Sequence, residues 1–552
     1  MMHYLNSVYP VRYTVFGLSC IGLLLSLFYV LFIGTGGWIF LLCLALVLVG
    51  IYDLRQTKKS VLRNYPVIGH IRYMLEFIRP EIRQYFFEAD TDATPFSRAQ
   101  RSLVYQRAKS QADKRPFGTQ LDVLAEGYEW INHSVAPTIV ATHDFRTLVG
   151  IDSATGQAPV SSSCTQPYDA SIFNISAMSF GALSANAILA LNSGAKQGRF
   201  AHDTGEGSIS VHHRTNGGDL IWEIGSGYFG CRSEDGTFNA ERFAENARDP
   251  QVKMIELKIS QGAKPGHGGV LPGPKVSAEI AAARGVPIGV DCVSPSAHSA
   301  FSTPTEMMHF IAKLRDLSGG KPTGFKFCLG HPWEWFAMVK AMQETGITPD
   351  FIVVDGAEGG TGAAPLEFTD HVGAPLQEGL QLVHNTLIGV GLRSRIKLGC
   401  AGKVISAFDV ARMMALGADW CNSARGFMFA LGCLQAQACH TGHCPTGVTT
   451  QDPVRQQAII VPDKAERVLN FHQNTLEALR EMVQAAGLTH PGEITAHHIV
   501  RRMNETGVKL LVTVMPPLKP GALLHNDLST LPNVYKFYWG RAQADSFKMK
   551  IE

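Results

Sequence analysis

From Tyr13 to Tyr52 the chain runs forty residues without a charged side chain. About 20 apolar residues suffice to cross the hydrocarbon core of a bilayer, so this run is long enough for two spans. It is interrupted by Gly34-Thr35-Gly36-Gly37 and then Trp38, a composition suited to a tight interfacial turn between antiparallel helices. Arg12 precedes the first span, and Arg55, Lys58, Lys59 and Arg63 follow the second. The positive-inside rule then places the bulk of the protein in the cytoplasm, giving a multi-pass protein of the cell inner membrane. A cleaved signal peptide is the competing reading, but there is no convincing small-residue cleavage site and the second apolar run follows at once.

Between about 60 and 155 the pattern turns polar and aromatic, and RYMLEFIRPEIRQYFFEAD predicts an amphipathic helix lying against the membrane or the main domain. From about 170 short β-branched runs alternate with helical stretches. Eight strands are expected, at ISAMS near 175, around 200 to 211, IELKI at 255, GVDCV at 289, FKFCL at 325, FIVVD at 351, IKLGC at 396 and WCNSA at 420. Helical stretches such as ALSANAILALNSGAK and SAFDVARMMALGA separate them. The predicted fold is α/β, a (β/α)8 TIM barrel with an N-terminal transmembrane hairpin. An open doubly wound sheet is the rival, but no GxGxxG opens the repeat. The expected division is a hairpin over 1–60, a helical extension over 61–155, the barrel over 156–485 and a C-terminal extension over 486–552.

Composition narrows the class. In 552 residues 45% are hydrophobic and 17% charged, which describes a large core and excludes disorder. A formal charge of +2 leaves no surplus for a polyanion, so nucleic acid is not an expected partner. Eleven dispersed cysteines suit a reducing compartment rather than a disulfide framework.

Three of those cysteines fall within GCLQAQACHTGHCPTGV as C-x5-C-x4-C: Cys433, Cys439 and Cys444, the last followed by Pro445. Thiolates are the ligands an iron-sulfide cage requires, and the spacing is unlike the paired hooks of structural zinc. Three ligands suit a 3Fe-4S cluster. His440, His443 or Cys421 could supply a fourth, leaving zinc or 4Fe-4S open, and buried reduced thiols are the bland alternative. Glycine-rich segments follow the last three predicted strands, as GAEGGTGAAP, GCAGK and SARGF. Barrels bind phosphate at those loops, where glycine lets backbone amides approach an anion, so a flavin mononucleotide fits there; tight turns are the default alternative.

ISAMSFGALS, HDTGEG, ELKISQGAKPGHGGVLPG, DGAEGGTGAAP and GCLQAQACHTGHCPTGVTTQ together resemble the synthase domain of glutamate synthases over roughly residues 155 to 480. The whole chain is similar to the FMN-binding glutamate synthase family, including its membrane-anchored N-termini. The resemblance implies a barrel holding FMN and a 3Fe-4S cluster on Cys433, Cys439 and Cys444. It places Ala177, Met178 and Ser179 against the flavin and Lys326 near its N1 and O2 edge, where a cation stabilises the negative charge of the reduced ring. It puts Gly359, Gly360, Thr361, Gly402, Arg425 and Gly426 around the phosphate. Asp203, Glu206, Lys258 and Gln261 match the 2-oxoglutarate pocket, with Lys264 on the same loop. Reduction of an α-imine needs a cation for the carboxylate and an acid to keep the imine protonated, which lysine with paired acids provides. Turn residues and a strand-end ion pair are the structural alternative for these positions.

The pattern also departs from that family. His267 stands where the large enzymes carry an acid, and GCAGK replaces their DGG. The chain opens Met1-Met2-His3, without an N-terminal cysteine nucleophile or glutaminase domain, so it is not expected to release ammonia from glutamine by itself. The expectation is an oxidoreductase of the CH-NH2 class that makes L-glutamate from 2-oxoglutarate through 2-iminoglutarate. Its ammonia would come from solution or from a separate amidotransferase, and its electrons from a donor protein. The alternatives are the same cofactors acting on another 2-oxo acid or amine, or a non-catalytic membrane redox relay.

Overall fold

The computed structural model describes residues 11–91, 94–159, 162–525 and 527–551. They form two compact units, Met1–Ala93 and Thr94–Glu552.

The first unit contains the two apolar helices, α1 (Thr14–Ile33) and α2 (Gly37–Arg55), packed against each other. Gly34 caps α1 in the left-handed region at φ 76°, and Gly36 repeats it at 84°. Glycine tolerates that conformation because it has no Cβ, so these two residues make the reversal. Both helices are long and apolar enough to cross a membrane, and most of their residues face outward. A third helix, α3 (Gly69–Ile82), covers the predicted amphipathic segment and ends in a π turn, Arg83–Phe87.

The second unit is built on a closed barrel of eight parallel strands in consecutive order. They are β1 (Phe173–Ile175), β2 (His202–Asp203), β3 (Leu220–Ile224), β4 (Val252–Lys258), β5 (Thr323–Phe327), β6 (Phe351–Asp355), β7 (Lys397–Ala401) and β8 (Trp420–Ser423). The predicted barrel holds, with one strand exchanged. GVDCV at 289 is not in the barrel: Cys292–Val293 pairs antiparallel with Val270–Leu271, and Ile288, Val290 and Val293 are exposed. The third barrel strand is LIWEI, all five residues buried, its glutamate included. ISAMS also begins where β1 ends, so its last four residues form a loop at the barrel mouth.

Side chains alternate across each strand, so every second residue points into the barrel. At the lower end the interior is filled by Phe351 and Trp420, with ring centroids 5.8 Å apart. They fit because their neighbours are glycines: a Cβ on Gly399 would lie 2.4 Å from the Trp420 ring, and one on Gly324 would meet Phe351 O at 2.1 Å. The upper end is polar. The C-terminal segment closes the outside, with Ile499–Arg502 pairing with Glu129–Ile131 and Tyr535 stacking on Phe336.

Beneath β5 and β6 a buried ion pair ties strand starts to a helix. Arg315 donates to Asp350 at 2.8 Å and to Thr348 O at 2.6 Å, and Thr323 N–H donates to Asp350 at 2.8 Å. Both charged side chains are essentially inaccessible. Removing one partner strands the other without water, so Asp350→Ala should lower stability by about 3–5 kcal/mol. Urea unfolding of the detergent-solubilised protein measures it, and a loss within experimental error would mean that the pair does not anchor the barrel.

Candidate active site

The mouth of the barrel is a charged funnel. Lys326, near the C-terminal end of β5, is buried and forms an ion pair with Glu223 of β3, and its Nζ lies 3.4 Å from Glu256 of β4. Glu223 reaches a second lysine, Lys258 at the end of β4, at 3.9 Å, and Lys258 pairs with Glu206 at 3.1 Å. The result is an alternating chain, Glu256, Lys326, Glu223, Lys258, Glu206, from the barrel interior to its rim.

Acids outnumber cations at the inner end. Ligand oxygens of Asp203, Glu223 and Glu256 lie within 4.8 Å of one another, and like charges so close do not all ionise. Burial pushes the Asp203 carboxyl up to about 7, against the pull of Lys326. Burial likewise raises Glu256 and Asp355. Lys326 is the reverse case: burial opposes its charge, but Glu223, Glu256, Asp203 and Asp355 outweigh burial and raise it. At the rim burial opposes the Glu206 anion, yet Lys258, Arg284 and Lys264 hold it below the usual carboxylate range.

Above this chain lies a cavity of about 160 Å³. Ala177, Met178 and Ser179 of the loop after β1, Glu206, Lys258, Gln261, Lys264, Gly360, Thr361 and Arg425 all line it. The loops after β1 and β2 touch there: a Cβ on Gly205 would be 2.7 Å from Ser179 N. A smaller cavity of about 60 Å³ at the ends of β5 to β8 is lined by Lys326, Gly359, Gly360, Gly402 and Arg425. Arg425 spans both and donates to Thr361 O at 2.9 Å. Two predicted residues stand apart. Asp203 lies beneath the floor, accepting from Gly205 N–H at 3.0 Å, and lines neither cavity. Gly426 is packed behind Arg425, where a Cβ would meet Ser423 Oγ at 2.5 Å.

Cys433, Cys439 and Cys444 border one small cavity on the loop after β8. Their sulfurs do not form a set within 4.8 Å, whereas ligands around one tetrahedral ion at ~2.3 Å lie closer than that. Burial pushes the Cys433 thiol up to about 11. Burial opposes the Cys444 thiolate too, but hydrogen bonds from Thr446 and Thr449 bring that thiol down to about 7. Lys275 donates to Cys439 O at 2.7 Å, placing a cation beside the thiols. Cys421 is elsewhere: its Sγ rests 3.6 Å from Cys400 Sγ in the barrel wall, fully buried, so it is no fourth ligand. His443 is exposed, and His440 opens on the larger cavity of about 1090 Å³ outside the glycine loop.

A scan against family models matches residues 141–489 to the conserved region in glutamate synthase. The chain is 38% identical to the glutamate synthase large subunit-like protein YerD of Bacillus subtilis over 83% of its own length and 93% of that protein. The chain belongs to the glutamate synthase family. It is 35% identical to the archaeal glutamate synthase [NADPH] of Methanocaldococcus jannaschii, covering 57% of this chain and 58% of that one. Against the glutamate synthase [NADPH] large chain of Bacillus subtilis it is 34% identical over 57% of its length and 20% of the other's. This glutamate synthase-like chain is thus an oxidoreductase by family, spanning nearly all of one relative and under two thirds of the others.

In this glutamate synthase-like barrel the sequence reading passed over Glu223, Glu256, Asp355, Arg284 and Lys275. Glu223 and Asp355 carry a signal, a lone acid in an otherwise apolar strand, whereas Glu256 shares its strand with Lys253 and Lys258. Arg284 lies on the helix Ala278–Arg284 and reaches the cavity only through the fold, donating to Phe180 O at 3.2 Å.

The unfolded Asp203 carboxyl releases its proton near 3.8 and the folded one only near 7. Across that window the folded protein holds a proton the unfolded chain has lost, so this residue's contribution falls as pH rises from about 4 to 7 and is constant above. Asp203→Asn should remove up to one proton's worth of slope, about 1.4 kcal/mol per pH unit between pH 5 and 7. Urea unfolding of the flavin-free protein across that range measures it; unchanged slopes would show that Asp203 is ionised throughout.

Proposed function

We propose that this protein is a membrane-anchored FMN and 3Fe-4S oxidoreductase that converts 2-oxoglutarate and ammonia to L-glutamate by way of 2-iminoglutarate. The observation that carries this reading is the charge chain from Lys326 to Glu206, which joins the expected flavin edge to the expected substrate pocket.

The residues suit the groups they would hold. Gly359, Gly360 and Gly402 border the 60 Å³ cavity without side chains, and Arg425 supplies a guanidinium there, as a phosphate site requires. Lys326 is a buried cation at the same cavity. Cys433, Cys439 and Cys444 border one small cavity with the Lys275 cation beside them, a donor set that suits an iron-sulfide cage. Bound there, FMN would supply hydride transfer and the cluster a one-electron path.

The protein's own side chains would do the rest. Lys258, Lys264 and Arg284 converge on the 160 Å³ cavity and would hold the two carboxylates of a 2-oxo diacid. Glu206, kept ionised by those cations, would orient Lys258, and Gln261 would donate to the carbonyl or imine position. Lys258 is the group placed to hold a proton at the imine nitrogen, with Glu223 coupling its charge to Lys326. Asp203, beneath the floor, would act through Lys326 and not on the substrate. Ammonia would come from solution or a separate amidotransferase, and electrons from a donor protein. The two membrane-length helices support anchoring, with the basic residues after Arg55 favouring a cytoplasmic catalytic unit.

His267 bears on the alternative of another 2-oxo acid. Its ring packs edge-on against Phe368, centroids 5.3 Å apart, and it lines the outer 1090 Å³ cavity rather than the 160 Å³ one. The substrate pocket proposed here is therefore independent of that departure.

The direct test reduces the anaerobically purified protein and follows flavin reoxidation. Acceleration only with 2-oxoglutarate and ammonia together, yielding glutamate, is the expected result; no acceleration with flavin and cluster both loaded would overturn the synthase reading. Lys258→Met should slow reoxidation at least about 100-fold while retaining flavin absorbance. Cys444→Ser should abolish the electron paramagnetic resonance of an oxidised three-iron cluster while leaving the flavin bound, and a persisting signal would remove Cys444 from the ligand set.

A further inference from the structure

The second apolar helix ends on an acid that is put to structural use. Asp53, two residues before Arg55, is fully buried. Its Oδ2 accepts the Val67 N–H at 2.9 Å, and its two oxygens lie 2.9 and 3.0 Å from His70 Nε2. Between them Gln56 ties the turn, donating to Asp53 O at 3.1 Å and Lys59 O at 2.8 Å while accepting from Lys59 N–H at 2.7 Å. The start of α3 is thus latched to the end of α2 by a carboxylate of one helix and a histidine of the other, seventeen residues apart in sequence.

The helix so held is amphipathic and uncovered. Ile71, Met74, Leu75, Ile78 and Ile82 recur at helical spacing on one face, and Ile71, Met74 and Leu75 are each about half exposed at 51%, 55% and 51%. Tyr85, Phe86 and Phe87 extend the exposed apolar surface through the π turn. Arg72, Arg79 and Arg83 run beside that face, Arg72 pairing with Glu76 at 3.0 Å. Lys59 Nζ sits 4.5 Å from the centre of the Tyr73 ring. From Arg55 to Arg83 seven lysines and arginines face two glutamates. Three features therefore coincide: an apolar face without a protein partner among the described residues, a flanking row of arginines, and direct continuity with a membrane-length helix.

We propose that α3 and its π turn lie in the plane of the bilayer, on the surface from which Arg55 emerges. The apolar face enters the acyl region, Arg72, Arg79 and Arg83 bind anionic phospholipid headgroups, and the Asp53–His70 latch sets the elbow between span and surface helix. This rests on the reading of α1 and α2 as membrane spans.

The test uses the full-length holoprotein in nanodiscs of phosphatidylcholine mixed with phosphatidylglycerol. A photoreactive p-benzoylphenylalanine replaces Leu75, or Leu24 of α1, which is exposed at 67%. Phospholipid adducts at both positions are expected, with phosphatidylglycerol enriched about fivefold over its share of the bilayer at Leu75. Arg72→Gln, Arg79→Gln and Arg83→Gln together should abolish that enrichment, and His70→Ala should lower the Leu75 adduct without lowering the Leu24 adduct. Adducts at Leu24 but none at Leu75, or Leu75 crosslinked to residues 94–552 or to a second copy, would overturn the surface-helix proposal alone. No lipid at either position, with the protein released by alkaline carbonate, would instead overturn the spanning reading. Equal labelling by both lipids would refute the anionic preference, and an unchanged Leu75 adduct in His70→Ala would refute the latch.

Discussion

Five ionisable side chains in a row, Glu256, Lys326, Glu223, Lys258 and Glu206, set what the rest of this barrel has to accomplish. A buried lysine without an acid is driven to its neutral form, and a buried acid without a cation to its protonated form. Each member of the row faces a group of the opposite kind, and the row persists only if β3, β4 and β5 hold register. Lys326 pairs in register with Lys258 along β4 and β5, and Glu223 with Glu256 along β3 and β4. Lys258 and Lys326 share one rung and Glu223 and Glu256 another, and Glu256 and Lys258 lie two residues apart on one face of β4.

That arrangement explains why the lower barrel is packed so conventionally. A polar upper interior contributes little to stability once its desolvation is counted. The core below it and around it carries the fold: Phe351 and Trp420 filling space left by Gly324 and Gly399, and Arg315 with Asp350 sealing the strand starts. The upper end is then free to hold more acids than cations, and the surplus is held as protons on groups such as Asp203 and Glu256. A site that stores protons next to cations is chemically suited to imine reduction, in which charge and protons move together.

The two ends of the chain solve different solvent problems with the same chemistry. In the barrel, acid and base are brought together to keep charge inside protein. In the first unit, Asp53 and His70 are brought together at the end of an apolar helix to fix a bend. Both are contacts between groups far apart in sequence, and both have further basic residues nearby. Lys264 and Arg284 line the cavity, and Arg79 and Arg83 lie on the outside of the first unit.

What the sequence by itself determined was local. A membrane-length run turned by two glycines, three cysteines within twelve residues and glycine loops after late strands are each written in contiguous residues, so composition and spacing reveal them without a fold. Seven of the eight barrel strands were legible for the same reason. The tertiary structure alone decided what depends on pairing across strands. LIWEI became the third strand over GVDCV because burial on both faces, not β-branching, selects a barrel strand. Glu223 and Glu256 became partners of the two lysines because parallel register put them on adjacent rungs, Asp203 fell beneath the floor while Glu206 reached the rim, and Cys421 turned into the wall toward Cys400. Which way a side chain points, and what meets it there, is set by strands distant in sequence, and a pattern along one chain carries no record of that distance.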